Sequence, residues 1–68
     1  MLNSIFFLIK TDKQKIALIN KIFEAMGHLA IVTTLDREAG ILRVMCDPGS
    51  EEEVLQILST LPCEQIKA

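Results

Sequence analysis

The sequence predicts an α+β fold with the element order βαββαβ, and three observations carry that prediction. Residues 27–46, GHLAIVTTLDREAGILRVMC, read as two strands rich in β-branched residues folded about a short polar turn. The segments on either side of this hairpin repeat apolar residues at spacings of three and four, the period of a helix with one buried face. An apolar run opens the chain, and a short one closes it.

The first strand, β1, is expected over residues 4–10, SIFFLIK, where the continuous apolar character suits a central strand covered on both faces. Alternation puts Ile5, Phe7 and Ile9 on one side and Phe6, Leu8 and Lys10 on the other. Thr11 and Asp12 follow, and either could accept hydrogen bonds at a helix start. Helix α1 is then expected over about 13–26, with Ile16, Ile19, Phe23 and Met26 as its apolar stripe, widened by Leu18, Ile22 and Ala25. Gly27 can end it, because glycine enters the left-handed region without a Cβ penalty.

Strand β2 is expected over 29–35 and strand β3 over 41–46, with 36–40 as the turn and Gly40 at its positive-φ position. On β3, Leu42, Val44 and Cys46 share the core face, and Ile41, Arg43 and Met45 share the other. Asp47, Pro48 and Gly49 stop the strand. Ser50 with Glu53 three residues later is the pattern of a capping box, and the glutamates 51–53 suit the positive end of a helix dipole. Helix α2 follows, with Val54, Ile57, Leu58 and Leu61 inward and Pro62 as its stop. The remainder from Cys63 is expected as a short edge strand, β4.

Right-handed crossovers place both helices on one face of an antiparallel sheet in the order 4-1-3-2, the ferredoxin-like sandwich, as a single domain over residues 1–68. One face of that sheet has no helix over it. Phe6, Leu8, Ile41, Arg43 and Met45 would line it, and an uncovered apolar patch marks an interface. A domain of this size is marginal on its own core, and two cysteines are too few for a disulfide scaffold, so a homodimer or larger assembly is expected, built by sheet-face packing or by edge pairing of strands.

Composition excludes several functions. Seven basic against nine acidic residues, without a basic cluster, provide no field for nucleic acid or an anionic membrane. The third strand also lacks the aromatic residues with which RNA-recognition sheets stack bases. The opening apolar run has no preceding positive charge, no cleavage site, and far fewer than the roughly 20 residues that span a bilayer. A cytoplasmic protein is the default expectation.

No constellation for catalysis, metal or cofactor is present in the sequence. His28 is the sole histidine and reads as a polar residue at a strand entrance. Cys46 and Cys63 fall on strands that are not neighbours, so they are expected to be buried free thiols, and C-x-x-C metal spacing is lacking. The acidic segment 47–53 lacks calcium-loop spacing and is explained by capping.

In topology the chain resembles ACT-type regulatory domains, in which amino acids or similar ligands bind near the loop between the first strand and first helix. Asp12 matches an acidic residue common there, whereas Lys13-Gln14 replaces the Pro-Gly pair that usually follows. The resemblance implies a small polar metabolite held near Thr11, Asp12 and Lys13, in a non-enzymatic regulatory role without a cofactor. The chain is also similar to a group of short bacterial proteins of unknown function. The shared features are the apolar first strand, Glu24-Ala25 late in α1, the LAIVTT strand at 29–34, the D-x-x-x-G turn at 36–40 and the P-G-x-E-E-E-V-L segment at 48–55. The alternative expectation is a structural or protein-interaction module without a small-molecule ligand, docking through the open sheet face or the acidic start of α2.

Overall fold

A computed structural model describes residues 4–27 and 29–66, so His28 lies outside the described residues. Within it, β1 (Ile5–Thr11), α1 (Ile16–Ala25), β2 (Ile31–Asp36), β3 (Ile41–Cys46), α2 (Glu51–Thr60) and β4 (Cys63–Ile66) follow in the expected order. The four strands form one antiparallel sheet, β2-β3-β1-β4, which is the expected 4-1-3-2 read from the other edge.

The core lies on one side of this sheet. Phe7 and Ile9 of β1 sit opposite Val44 and Leu42 of β3, and Ile5 opposite Cys46. Phe7, Ile9, Leu42, Val44 and Cys46 form one buried cluster with Ile16, Ile19 and Phe23 of α1 and with Val54 and Leu58 of α2, and Ile5 packs half-buried against it. Both helices therefore close the same face. Ile9, Ile19, Leu42, Val44 and Val54 are fully buried, so the division of β3 into core and outer positions agrees with the alternation read from its sequence.

Both helix starts differ from expectation for one reason. Each opens with a turn of 3-10 helix, Lys13–Lys15 before α1 and Pro48–Ser50 before α2. Ser50 is thereby drawn into near-helical backbone, φ -105 and ψ 2, instead of the extended conformation that an N-cap side chain needs, and it makes no capping hydrogen bond. The capping box does not form. The extended residues before the turns are Asp12 and Asp47, which serve through their carbonyls: the N–H of Lys15 donates to Asp12 O at 2.8 Å and that of Ser50 to Asp47 O at 2.9 Å. Neither aspartate caps with its side chain.

At the far end of α1, Met26 is the C-cap and Gly27 takes φ 72, as expected of a C′ glycine. The apolar stripe stops at Phe23, and Met26 is 50% exposed because the chain has already left the helix there. Strand β2 begins two residues later than expected and carries an irregularity between Thr34 and Asp36, which makes Leu35 an extra residue against β3. No helix among the described residues is long and apolar enough to cross a membrane.

Candidate functional site

Two surfaces of the fold offer groups to a ligand or partner, the corner where β1 meets the first 3-10 turn and the open face of the sheet. The corner is organised by Thr11, the last residue of β1. Its N–H donates to Gly40 O at 2.8 Å, and its hydroxyl donates to Pro62 O at 2.6 Å. One buried residue, through its backbone N–H and its hydroxyl, thus ties together the end of β1, the β2–β3 turn and the link from α2 to β4.

The turn is built to reach this position. Asp36 Oδ1 accepts the N–H of Ala39 at 3.1 Å, and the N–H of Gly40 donates to Arg37 O at 3.3 Å. Gly40 has φ 72 and lies so close to the Thr11 main chain that a Cβ would overlap the Thr11 carbonyl. Lys13 Nζ reaches Glu38 at 3.2 Å across the same gap, an exposed pair of small energetic weight.

Around the corner are two shallow hollows. One of about 310 Å³ is lined by Lys10, Thr11, Asp12, Pro62, Cys63 and Glu64. The other, about 420 Å³, shares Lys10, Thr11 and Asp12 and continues along Lys13 and Gln14 to Glu38 and Ala39. The predicted residues Thr11, Asp12 and Lys13 are therefore brought together, but on unequal terms. Thr11 is buried with both its N–H and its hydroxyl proton committed inside the fold. Asp12 and Lys13 are exposed, so the Asp12 carboxylate can meet a ligand directly and the Lys13 ammonium can do so by exchanging its exposed pair with Glu38. Lys10, Glu38, Pro62 and Glu64 belong to the corner as well. Pro62 and Glu64 follow from the expected placement of β4 beside β1, whereas no local signal points to Glu38.

Reactive groups are sparse. Cys46 is buried and Cys63 half-buried, both as free thiols, and Cys63 Sγ lies 3.6 Å from Leu58 O. Burial pushes the Cys46 thiol above its ordinary value, with Glu51 and Asp47 adding to the effect, and burial does the same at Cys63. Both thiols are protonated at neutral pH, the opposite of what a nucleophilic cysteine requires. Among the described residues, no three His, Cys, Asp or Glu side chains are grouped to hold a metal ion.

The open face is built from the alternate residues of the same strands. Ile31, Met45 and Phe6 form one row across β2, β3 and β1, and Thr33, Arg43, Leu8 and Ile66 form the next. Ile41, Lys10 and Glu64 follow in a third. Phe6 is 53% and Ile31 55% exposed, and the Arg43 guanidinium lies 5.2 Å from the centroid of the Phe6 ring. The predicted residues Phe6, Leu8, Ile41, Arg43 and Met45 all share this face. Ile31 and Ile66 enlarge it, and the period-two parity of β2 and β4 was the signal for both.

Comparison with known proteins yields one match. Residues 9–64 fit the model of a family described as a domain of unknown function, DUF4911. No curated protein and no solved structure matches the chain. With most of its length inside that match, the chain belongs to the DUF4911 family.

Proposed function

We propose that this chain is a non-enzymatic domain of ferredoxin-like, ACT-like type that works in the cytoplasm as a homo-oligomer, with the open face of its sheet as a contact surface in a regulatory assembly. The supporting observation is the apolar row of Ile31, Met45 and Phe6 on the face opposite α1 and α2, which no helix among the described residues covers. Covering the exposed part of Phe6 alone removes on the order of 100 Å² from water, worth about 2.5 kcal/mol per copy. Arg43, stacked on that ring, carries a charge into the patch and sets which surfaces can meet it. Light scattering of the wild type and of Phe6→Glu tests this reading. The wild type should be an oligomer and the variant should lose mass. A wild-type monomer that instead captures a larger protein would replace it with the interaction-module reading.

A second reading rests on the two hollows that meet at Lys10, Thr11 and Asp12. The exposed carboxylate of Asp12 and ammonium of Lys13 suit a small ligand bearing both charges, such as an amino acid. A ligand specific for the folded state raises its melting temperature by mass action. Screening amino acids by thermal shift should find one that stabilises the wild type and leaves Asp12→Ala unchanged, and no shift across the set would exclude this reading.

A further inference from the structure

We propose that the free edge of β2 is a dimer seam: β2 of one copy pairs antiparallel with β2 of a second copy about Thr33, joining the two sheets into one of eight strands. This deepens the self-association reading above and adds an edge contact separate from the open face.

The hydrogen-bond parity of the sheet identifies which backbone groups are free. The Thr11 N–H to Gly40 O bond lies in register with the β1–β3 ladder, so Ile9↔Leu42, Phe7↔Val44 and Ile5↔Cys46 are its bonded pairs. Leu42, Val44 and Cys46 therefore turn their N–H and C=O groups toward β1, and Arg43 and Met45 turn theirs toward β2. It follows that Thr33↔Arg43 and Ile31↔Met45 are the bonded pairs of the β2–β3 ladder. Val32 and Thr34 point their N–H and C=O groups outward, and no group among the described residues takes them.

The two edges of the sheet are treated differently. By the same parity, Cys63 and Gln65 face outward on β4. The N–H of Cys63 is already donated to Leu61 O at 2.8 Å, and β4 is four residues long, follows Pro62 and carries Glu64. Short length, proline and charge are the devices that blunt an edge. Strand β2 has no proline and no charge over Ile31, Val32, Thr33, Thr34 and Leu35, and the irregularity at Leu35 lies past the outward-pointing Val32 and Thr34.

What fits this edge is β2 itself. Antiparallel pairing about Thr33 sets Val32 opposite Thr34 of the second copy, so each outward group meets an outward group. It sets Ile31 opposite Leu35, which are 55% and 51% exposed in the single chain, and Thr33 opposite Thr33. Aliphatic and threonine pairs of this kind favour a ladder. Centring the pair on Val32 would instead oppose Ile31 to Thr33 and set Leu35 opposite Leu29, before the start of the facing strand. A hollow of about 180 Å³ runs beside the strand, lined by Asn20, Phe23 and Glu24 of α1 and by Ala30, Ile31 and Val32. Thr34 of the second copy arrives there, because Thr34 shares the helix-side parity of Val32.

Thr33→Cys tests the seam. Facing residues of a non-bonded antiparallel pair have Cα atoms about 4.5 Å apart, within the range of a disulfide. Under mild oxidation Thr33→Cys should convert to a disulfide-linked dimer, while the wild type, with Cys46 and Cys63 unchanged, should not. Adding Thr34→Lys, which puts a charge into the seam from an exposed position, should abolish the cross-link, with circular dichroism confirming the fold. A Thr33→Cys protein that stays monomeric overturns the proposal. So does a cross-link that survives Thr34→Lys, since it would form by collision. Phe6→Glu in the Thr33→Cys background separates the two contacts. A persisting cross-link with loss of higher mass supports both, and an unchanged mass removes the face while keeping the seam. Loss of mass in Phe6→Glu together with failure of Thr33→Cys to cross-link removes the seam while keeping the face.

Discussion

Gly40→Ala should be the most damaging small substitution in this chain, and its cost can be built from separate parts. At φ 72 an alanine sits in the left-handed region, at about 1–2 kcal/mol. Its Cβ would also overlap the Thr11 carbonyl, a main-chain group held at the end of β1 by the hydrogen bonds of Thr11 to Gly40 and Pro62. Relieving that overlap means separating β1 from the turn, at about 1–3 kcal/mol by analogy with overpacked cores. It also weakens the Thr11 N–H to Gly40 O bond, worth about 1 kcal/mol. The total is about 3–6 kcal/mol, comparable with the ~3–10 kcal/mol that holds a chain of this length together. Gly27 supplies the control, because it has the same φ of 72 and, beyond its chain neighbours, no atom among the described residues lies within 4 Å of where its Cβ would sit. Gly27→Ala should therefore cost only the conformational part, about 1–2 kcal/mol. Urea unfolding by circular dichroism at one protein concentration compares the two. Equal midpoints for Gly27→Ala and Gly40→Ala would refute the close approach at Thr11.

Further expectations concern the same core and corner. Thr11→Val keeps the shape but removes the hydroxyl that Pro62 O accepts, and should cost about 1–2 kcal/mol in urea unfolding, whereas Thr11→Ser should cost less because it keeps the bond. Thiol labelling under native conditions, followed by mass spectrometry, should modify Cys63 first and reach buried Cys46 only on unfolding. Alkaline pH should destabilise the fold. The thiol of Cys46 is raised by burial, so its contribution is fully present below the ordinary 9.0 and is lost as pH climbs from there toward the folded-state value. Melting temperature should accordingly fall above pH 9.0, and less steeply in Cys46→Ala once its lower starting stability is taken into account.

The parts of this fold that could be read from the sequence are those set by near neighbours. Alternation along β1 and β3 assigned Phe7, Ile9, Leu42, Val44 and Cys46 to the core, because a strand side chain has only two directions to take. Gly27 and Gly40 were legible for a similar reason, since their positive φ is a local demand. What could not be read depends on partners distant in the chain. Thr11 looked like a helix cap because its neighbours are Asp12 and Lys13, yet its hydroxyl goes to Pro62, 51 residues away. The capping box at Ser50 failed to form although a contrary signal was present. Pro48 favours the first position of a helical turn, which places the extended residue at Asp47 and Ser50 inside the turn. In the candidate corner, Asp12 and Lys13 were expected from the resemblance to ACT-type loops, while Glu38 joins them only through the hairpin.

Self-association is the claim on which the proposed function and the seam both stand. Sedimentation velocity of the unmodified chain across micromolar concentrations tests it most directly. The account predicts a species of at least twice the 7.6 kDa of one chain, persisting on dilution through that range. A single boundary at 7.6 kDa at every concentration, with Val32 and Thr34 amides exchanging as freely as exposed ones, would contradict it.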